Sequence, residues 1–244
     1  MGDSRSHSEK GRSRDSGRSR GSTRRPSSHE RHGSDSAHSG SRAERKQHTR
    51  RRLLDVTLRL IADRSLAGIS LREVAREAGI VPTAFYRHFA SMDDLGMELV
   101  DESMRPLRQG IREARRDRVA NGDIIADTVA ILSKQVRDNP DQFRFLMHER
   151  YGGVPAVRRS IAAELQLFTS DLTVDLSRLT VGLDWTTEDL EMAAGLMVMA
   201  MLGTVMELLD GDGRFPEDID AVLERARRQL RLITLGMGAW RSKP

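Results

Sequence analysis

The chain of 244 residues has no cysteine. That excludes a disulfide framework, a cysteine zinc site, an iron–sulfur cluster and a thiol nucleophile together, and it fits a reducing, cytoplasmic setting. Aromatic residues are also scarce, at 4%. Sheets draw heavily on aromatic and β-branched side chains, so a chain rich instead in Leu, Ala, Met, Glu and Arg is expected to be helical. No apolar stretch precedes Leu53, so no secretory signal is expected. The longest mostly apolar run, Ala193–Met206, has 14 residues. A spanning helix needs roughly 18 or more, so no membrane partner is expected. Absent too are a His-x-x-x-His pair and a phosphate-cradling glycine loop. The pair His148–Glu149 stands alone and reads as an ion pair or surface feature. No catalytic residue, cofactor or metal is therefore expected.

What is present is an uneven charge. Residues 1–42 carry ten Lys/Arg against five Asp/Glu, and residues 43–91 repeat that ratio. The remaining 153 residues carry 20 against 26. A basic first third followed by an acidic remainder predicts that the N-terminal part meets a polyanion. From Gly2 to Arg42 there is no Val, Ile, Leu, Phe, Tyr or Trp, and thirteen Ser and nine Arg dominate. Such a segment cannot bury enough apolar surface to order itself, so residues 1–42 are expected to be a disordered basic tail. It is either a solvating extension or an arm binding nucleic acid without sequence preference. Its four histidines have no ligand spacing.

Helical periodicity begins at Glu44. Leu53, Val56, Leu60 and Ile61 predict an amphipathic helix over Lys46–Arg64. Ser65–Ile69 reads as a turn. Ser70 and Glu73 form a capping box that starts a helix over Leu71–Ala78, and Gly79 supplies the left-handed residue that ends it. Pro82 suits the first position of a second short helix running to about Phe89. Ser91 and Asp94 repeat the capping pattern for the next helix, which Pro106 should bend or end. Longer helices are expected over Asp123–Arg137, Pro140–Arg150, Pro155–Leu179, Thr187–Leu209 and Pro216–Trp240.

Two eight-residue helices around a glycine turn have the size of a helix-turn-helix, whose second helix enters the major groove. Thr83, Tyr86, Arg87 and His88 put donors on that second helix. Arg72 and Arg76 do so on the first, and Arg50, Arg51 and Arg52 crowd the preceding helix where phosphates would pass. A structural helix hairpin with a solvated basic face is the competing reading, and Tyr86 is equally compatible with packing in the core.

The run Leu71–Leu95, LREVAREAGIVPTAFYRHFASMDDL, resembles the DNA-binding domain of the tetracycline-repressor (TetR) family over about residues 46–105. The string REVAREAGI-x-PT-x-FYRHF, with DDLG, VDES at Val100–Ser103 and the later FRFLMHER (Phe143–Arg150), is similar to repressors of unsaturated fatty-acid biosynthesis within that family. The resemblance implies binding of double-stranded operator DNA through Arg50, Arg51, Ser70, Arg72, Thr83, Ala84, Tyr86, Arg87 and His88. Val81 stands where many members have a capping Ser, and Met92 where many have a phosphate-contacting Lys, so those two contacts are not carried over.

The helix Thr187–Leu209 is apolar on almost every face, and five of the eleven methionines lie between Met192 and Met206. Such a helix must be covered on all sides. With the apolar stripe Ile219, Val222, Leu223, Ala226, Leu230, Ile233 and Met237 of the last helix, it is expected to form half of a homodimer interface, with Met201 and Leu230 within it. Methionines fill ordinary core or line an adaptable pocket. The resemblance implies the pocket and a hydrophobic effector, with a long-chain acyl-CoA thioester as the expected ligand. Phe143, Phe145, Leu146, Met147, Phe168, Met192, Met197 and Met199 are its expected lining. The whole is expected to be all-α: the tail 1–42, a three-helix helix-turn-helix domain over 43–105, and a helical ligand-binding and dimerisation bundle over 106–244. The rival functions are a regulator of an efflux or catabolic operon sensing another hydrophobic molecule, and an architectural protein that coats DNA.

Overall fold

The computed structural model describes residues 33–62, 64–116, 123–179, 185–210 and 218–242. The described residues are helical, with no strand among them. In order they form α1 (Gly33–Leu60), a single 3-10 turn (Leu66–Gly68), α2 (Leu71–Glu77), α3 (Pro82–Phe85), α4 (Met92–Arg116), α5 (Ile124–Asp138), α6 (Pro140–Glu149), α7 (Pro155–Leu179), α8 (Thr187–Asp210) and α9 (Ile219–Ala239). The chain divides into two units, Met1–Ala43 and Glu44–Pro244. The second holds the core, the helix pair and the cavity described below.

The all-helical expectation holds. α1 begins at Gly33, within the expected tail 1–42, and residues 1–32 of that tail lie outside the described residues. Extending an existing helix fixes one residue per added bond and avoids the cost of a new nucleus. An apolar-free sequence can therefore prolong a helix that is anchored further along by Leu53, Leu54 and Val56, all buried. Pro106, expected to bend or end its helix, does not end it: it sits inside α4, which continues to Arg116. The proline is exposed and removes only the N–H that would have bonded the Glu102 carbonyl. The boundary expected between residues 105 and 106 thus falls within one helix. The core crosses it as well, since Leu99, Val100, Met104 and Leu107 belong to the same buried cluster as Leu132, Phe143 and Leu146.

The later helices match their predicted ranges within three residues at described ends, and α7 matches at both. Asp123 caps α5, its Oδ1 accepting from the N–H groups of Ile125 and Ala126 at 3.1 and 3.2 Å. Its Oδ2 takes a bond from Arg231 of α9 at 2.8 Å, which holds the carboxyl below its ordinary range. Arg108 joins α4 to α7 by donating to both oxygens of Glu164 at 2.7 Å, and it also reaches Asp101 at 2.9 Å. A second buried cluster gathers Val129, Leu176, Ala194, Met197, Ala226 and Leu230 from α5, α7, α8 and α9. By length and hydropathy α8 is long and apolar enough to cross a membrane, although its uncharged run had argued otherwise. It packs here against α5, α6, α7 and α9 as a bundle helix. One of its faces, Met192, Leu196, Met199 and Met206, is nonetheless exposed, as are Leu232 and Leu235 of α9.

Candidate DNA-binding surface and internal cavity

The helix pair is built by local chemistry. The Ser70 hydroxyl accepts from the Glu73 N–H at 3.2 Å. The Glu73 carboxyl is held below its ordinary range, first by Arg64 at 2.8 Å, with the Ser70 N–H contributing. At the other end of α2, Gly79 has φ 67°. The Gly79 N–H donates to the Arg76 carbonyl at 3.0 Å and the Ile80 N–H to the Ala75 carbonyl at 2.9 Å. Those two bonds are a Schellman closure, which requires the left-handed residue that glycine adopts without cost. Val81 then enters α3 in an extended conformation without a side-chain cap. α3 is shorter than expected because the chain tightens after Phe85: Arg87 and His88 donate three residues back, at 3.1 and 2.8 Å. Phe85 and Phe89 are buried and anchor the segment, their ring centroids 5.7 Å apart. At the start of α4 the Ser91 hydroxyl accepts from Asp94 N–H at 3.0 Å, while the Asp94 carboxylate reaches Ala90 N–H at 3.1 Å, one residue earlier than a capping box places it.

This framework sorts the predicted contacts into two groups. Arg72, Arg76, Thr83, Tyr86 and Arg87 are exposed. Tyr86 is 60% exposed, its ring edge-on to Phe85 at 5.9 Å, so it faces outward and not into the core. Ala84 is half-buried, and Ser70 is exposed while its hydroxyl serves the cap. Arg50 belongs to the second group. It donates to the His88 carbonyl at 2.6 Å, pairs with Glu98 at 2.9 Å, and lies over the Phe89 ring at 4.2 Å. It ties α1 to the end of the helix pair and to α4. Arg51 pairs with Asp55 at 3.1 Å and Glu102 at 3.2 Å, yet its side chain is 57% exposed. Burial raises the Glu102 carboxyl above its ordinary range, with Arg51 opposing. His88 is half-buried, and its Nδ1 has no partner. Burial first, then the charges of Lys46, Arg50 and Arg87, push its imidazole below the usual histidine range. Both effects favour the neutral imidazole, which can donate or accept a hydrogen bond.

Between α4, α5, α6, α7, α8 and α9 lies a cavity of about 240 Å³. Of the residues expected to line a pocket, Phe143, Leu146, Met147, Phe168 and Met197 do so. Phe145, Met192 and Met199 do not. Phe145 is 2% exposed and spent in the core. Met192 and Met199 fall on the outer stripe of α8, because residues seven apart share a helix face and Met197 lies on the opposite one. The sequence reading missed the walls from α4, α5 and part of α7: Leu107, Ile111, Leu132, Ile161 and Leu165. Periodicity marks those positions as inward-facing, but nothing in it separates a cavity wall from solid core. The cavity is apolar apart from Thr128, Arg150, Asp175 and Thr234. No cluster of three metal-ligating side chains occurs among the described residues.

Residues 53–99, which contain the helix pair, match the family described as bacterial regulatory proteins, tetR family. Solved structures share the wider fold. A TetR-family transcriptional regulator from Streptomyces coelicolor aligns with TM-score 0.59 and 21% identity, over 77% of this chain and 94% of that one. The fatty acid degradation regulator FadR from Bacillus halodurans aligns with TM-score 0.59 and 16% identity, over 74% and 93%. The multidrug binding protein EbrR, complexed with imidazole, aligns with TM-score 0.51 and 18% identity, over 74% and 93%. The helix pair thus lies within the segment that matches the tetR family, and the wider helical fold is shared with solved structures along most of the chain.

Proposed function

We propose that the protein is a ligand-responsive repressor that binds operator DNA as a homodimer and responds to a hydrophobic effector in the internal cavity, a long-chain acyl thioester being the first candidate. The observation that supports this reading is that one continuous helix, α4, both contributes Met104, Leu107 and Ile111 to the cavity and carries Leu95 and Leu99 into the core of the helix pair. Filling the cavity and re-aiming the helix pair are then movements of one element. Thr83, Tyr86 and Arg87 face the major groove, with Arg72 and Arg51 toward phosphates. An acyl chain gains about 0.8 kcal/mol for each buried methylene, so an apolar cavity suits it with little head-group recognition. Regulation requires the effector to bind the DNA-competent and DNA-incompetent states unequally. The fatty-acid assignment draws on the motif resemblance at Ser70–Phe89 and Phe143–Arg150, and a structural neighbour titled as a fatty acid degradation regulator is compatible with it.

A second reading, a regulator of an efflux or catabolic operon sensing another hydrophobic compound, is favoured by Asp175. This carboxylate lines the cavity, where it also pairs with Arg178 at 3.7 Å, and a carboxylate suits an apolar cation better than a thioester. One titration separates the two. Duplex selected by the protein from a random pool is titrated with saturated and cis-unsaturated acyl-CoA of equal length, and with an apolar cation. A shift in duplex affinity with acyl-CoA supports the first reading, and a shift with the cation alone supports the second. Equal affinity for selected and unselected duplex at matched salt would remove both and leave an architectural binder.

A further inference from the structure

Glu149, the last residue of α6, is 1% exposed. Its Oε1 accepts from the Leu66 N–H at 2.7 Å, across 83 positions of sequence, and its Oε2 is buried without a partner. The surroundings are shaped to admit this carboxylate. A Cβ at Gly152 would lie 2.0 Å from Oε2, and one at Gly153 would lie 3.0 Å from the Ala67 methyl. On the other side, a Cβ at Gly96 of α4 would stand 2.5 Å from Leu66 and 2.6 Å from Val157 of α7. Leu66 is therefore held against Gly96 of α4 on one side and by the end of α6 on the other. It opens the short turn between α1 and α2, four residues before the Ser70 cap.

A buried carboxyl with a single N–H partner is expensive to keep for stability alone, because an apolar side chain of the same shape avoids the desolvation. α6 is also a cavity wall, through Phe143, Leu146 and Met147. We propose that Glu149 is a positioning residue that passes the placement of the α6 wall to the helix pair through the Leu66 N–H. A hydrogen bond weakens steeply with distance and angle. A shift of α6 by about 1 Å therefore breaks the bond instead of stretching it, which gives the turn two discrete arrangements. The consequence for DNA rests on the proposed reading; the device itself does not, and it is tested without DNA or effector.

The test is amide hydrogen exchange at Leu66 in the full chain. Glu149→Gln retains an acceptor oxygen and Glu149→Leu removes it. Met147→Trp adds bulk to the cavity from α6 itself, with no ligand needed. Leu66 is expected to exchange slowly in the wild type and in Glu149→Gln, and at least about tenfold faster in Glu149→Leu, with α5 amides unchanged. Met147→Trp is expected to speed Leu66 exchange to a similar degree in the wild-type and Glu149→Gln backgrounds and to add nothing in Glu149→Leu. Slow exchange at Leu66 in Glu149→Leu overturns the proposal. So does a Met147→Trp effect that is absent in the wild type or undiminished in Glu149→Leu. Should Glu149→Leu fail to melt cooperatively, the response of Leu66 to Met147→Trp in the other two backgrounds decides alone.

Discussion

Two arginines expected to contact DNA stand in different surroundings. Arg50 spends its guanidinium on the His88 carbonyl, Glu98 and the Phe89 face, whereas Arg87 is exposed in the tightened turn after α3. A charge-assisted hydrogen bond and a partly exposed ion pair are together worth about 1–2 kcal/mol once solvent screening is allowed for. Arg50→Ala should therefore lower the free energy of urea unfolding by about that amount. Arg87→Ala should leave unfolding nearly unchanged but weaken binding to selected duplex by about 1–3 kcal/mol. Equal stability loss in both variants would mean that the division is wrong. Basic residue type and position placed both near DNA in the sequence. Only the partners that the fold brings to Arg50, 38 and 48 positions away, distinguish them.

Among the elements, the helix pair was the most legible, because its signals are local. Ser70, Gly79 and Pro82 act within four or five residues of themselves, and each does what its chemistry predicts. The length of α3 was less legible, since its tightening past Phe85 answers to the burial of Phe85 and Phe89. Gly79 carries the angle between the two helices. A β-branched side chain at φ 67° costs about 1–2 kcal/mol, and a Cβ there would also press on Arg52 Nη2 at 3.3 Å. Gly79→Val should lower the urea midpoint accordingly, and Gly79→Asn should cost less, because Asn tolerates the left-handed region. Matching losses in the two variants would mean that side-chain crowding, not backbone conformation, sets the cost.

At the scale of the molecule, the unpaired apolar faces of α8 and α9 are what the proposed homodimer would cover. The positions first expected in that interface are not on these exposed faces: Leu230 is 5% exposed within the bundle, and Met201 lines the cavity. Leu196, at 54%, and Leu235, at 75%, face outward. The double substitution Leu196→Asp, Leu235→Asp should yield a monomer by light scattering with helix content retained, and the monomer should bind selected duplex poorly. Leu230→Asp should instead unfold the bundle, since it buries an unpaired charge. A double variant that remained dimeric would move the interface off these faces.

The sequence by itself determined the helical class, most helix ends and the helix pair, because caps, prolines, the left-handed glycine and the 3.6-residue period act over a few residues. The motif resemblance pointed to eight lining residues, of which Phe143, Leu146, Met147, Phe168 and Met197 border the cavity and Phe145, Met192 and Met199 do not. Tertiary structure alone decided which inward-facing side chains border empty space, that Met192 and Met199 turn outward, that α4 runs through Pro106, and that Arg50 and Glu149 are held by partners far along the chain. The physical reason is range. Periodicity places a residue on a face of its own helix, whereas the identity of what meets that face follows from how the other helices pack.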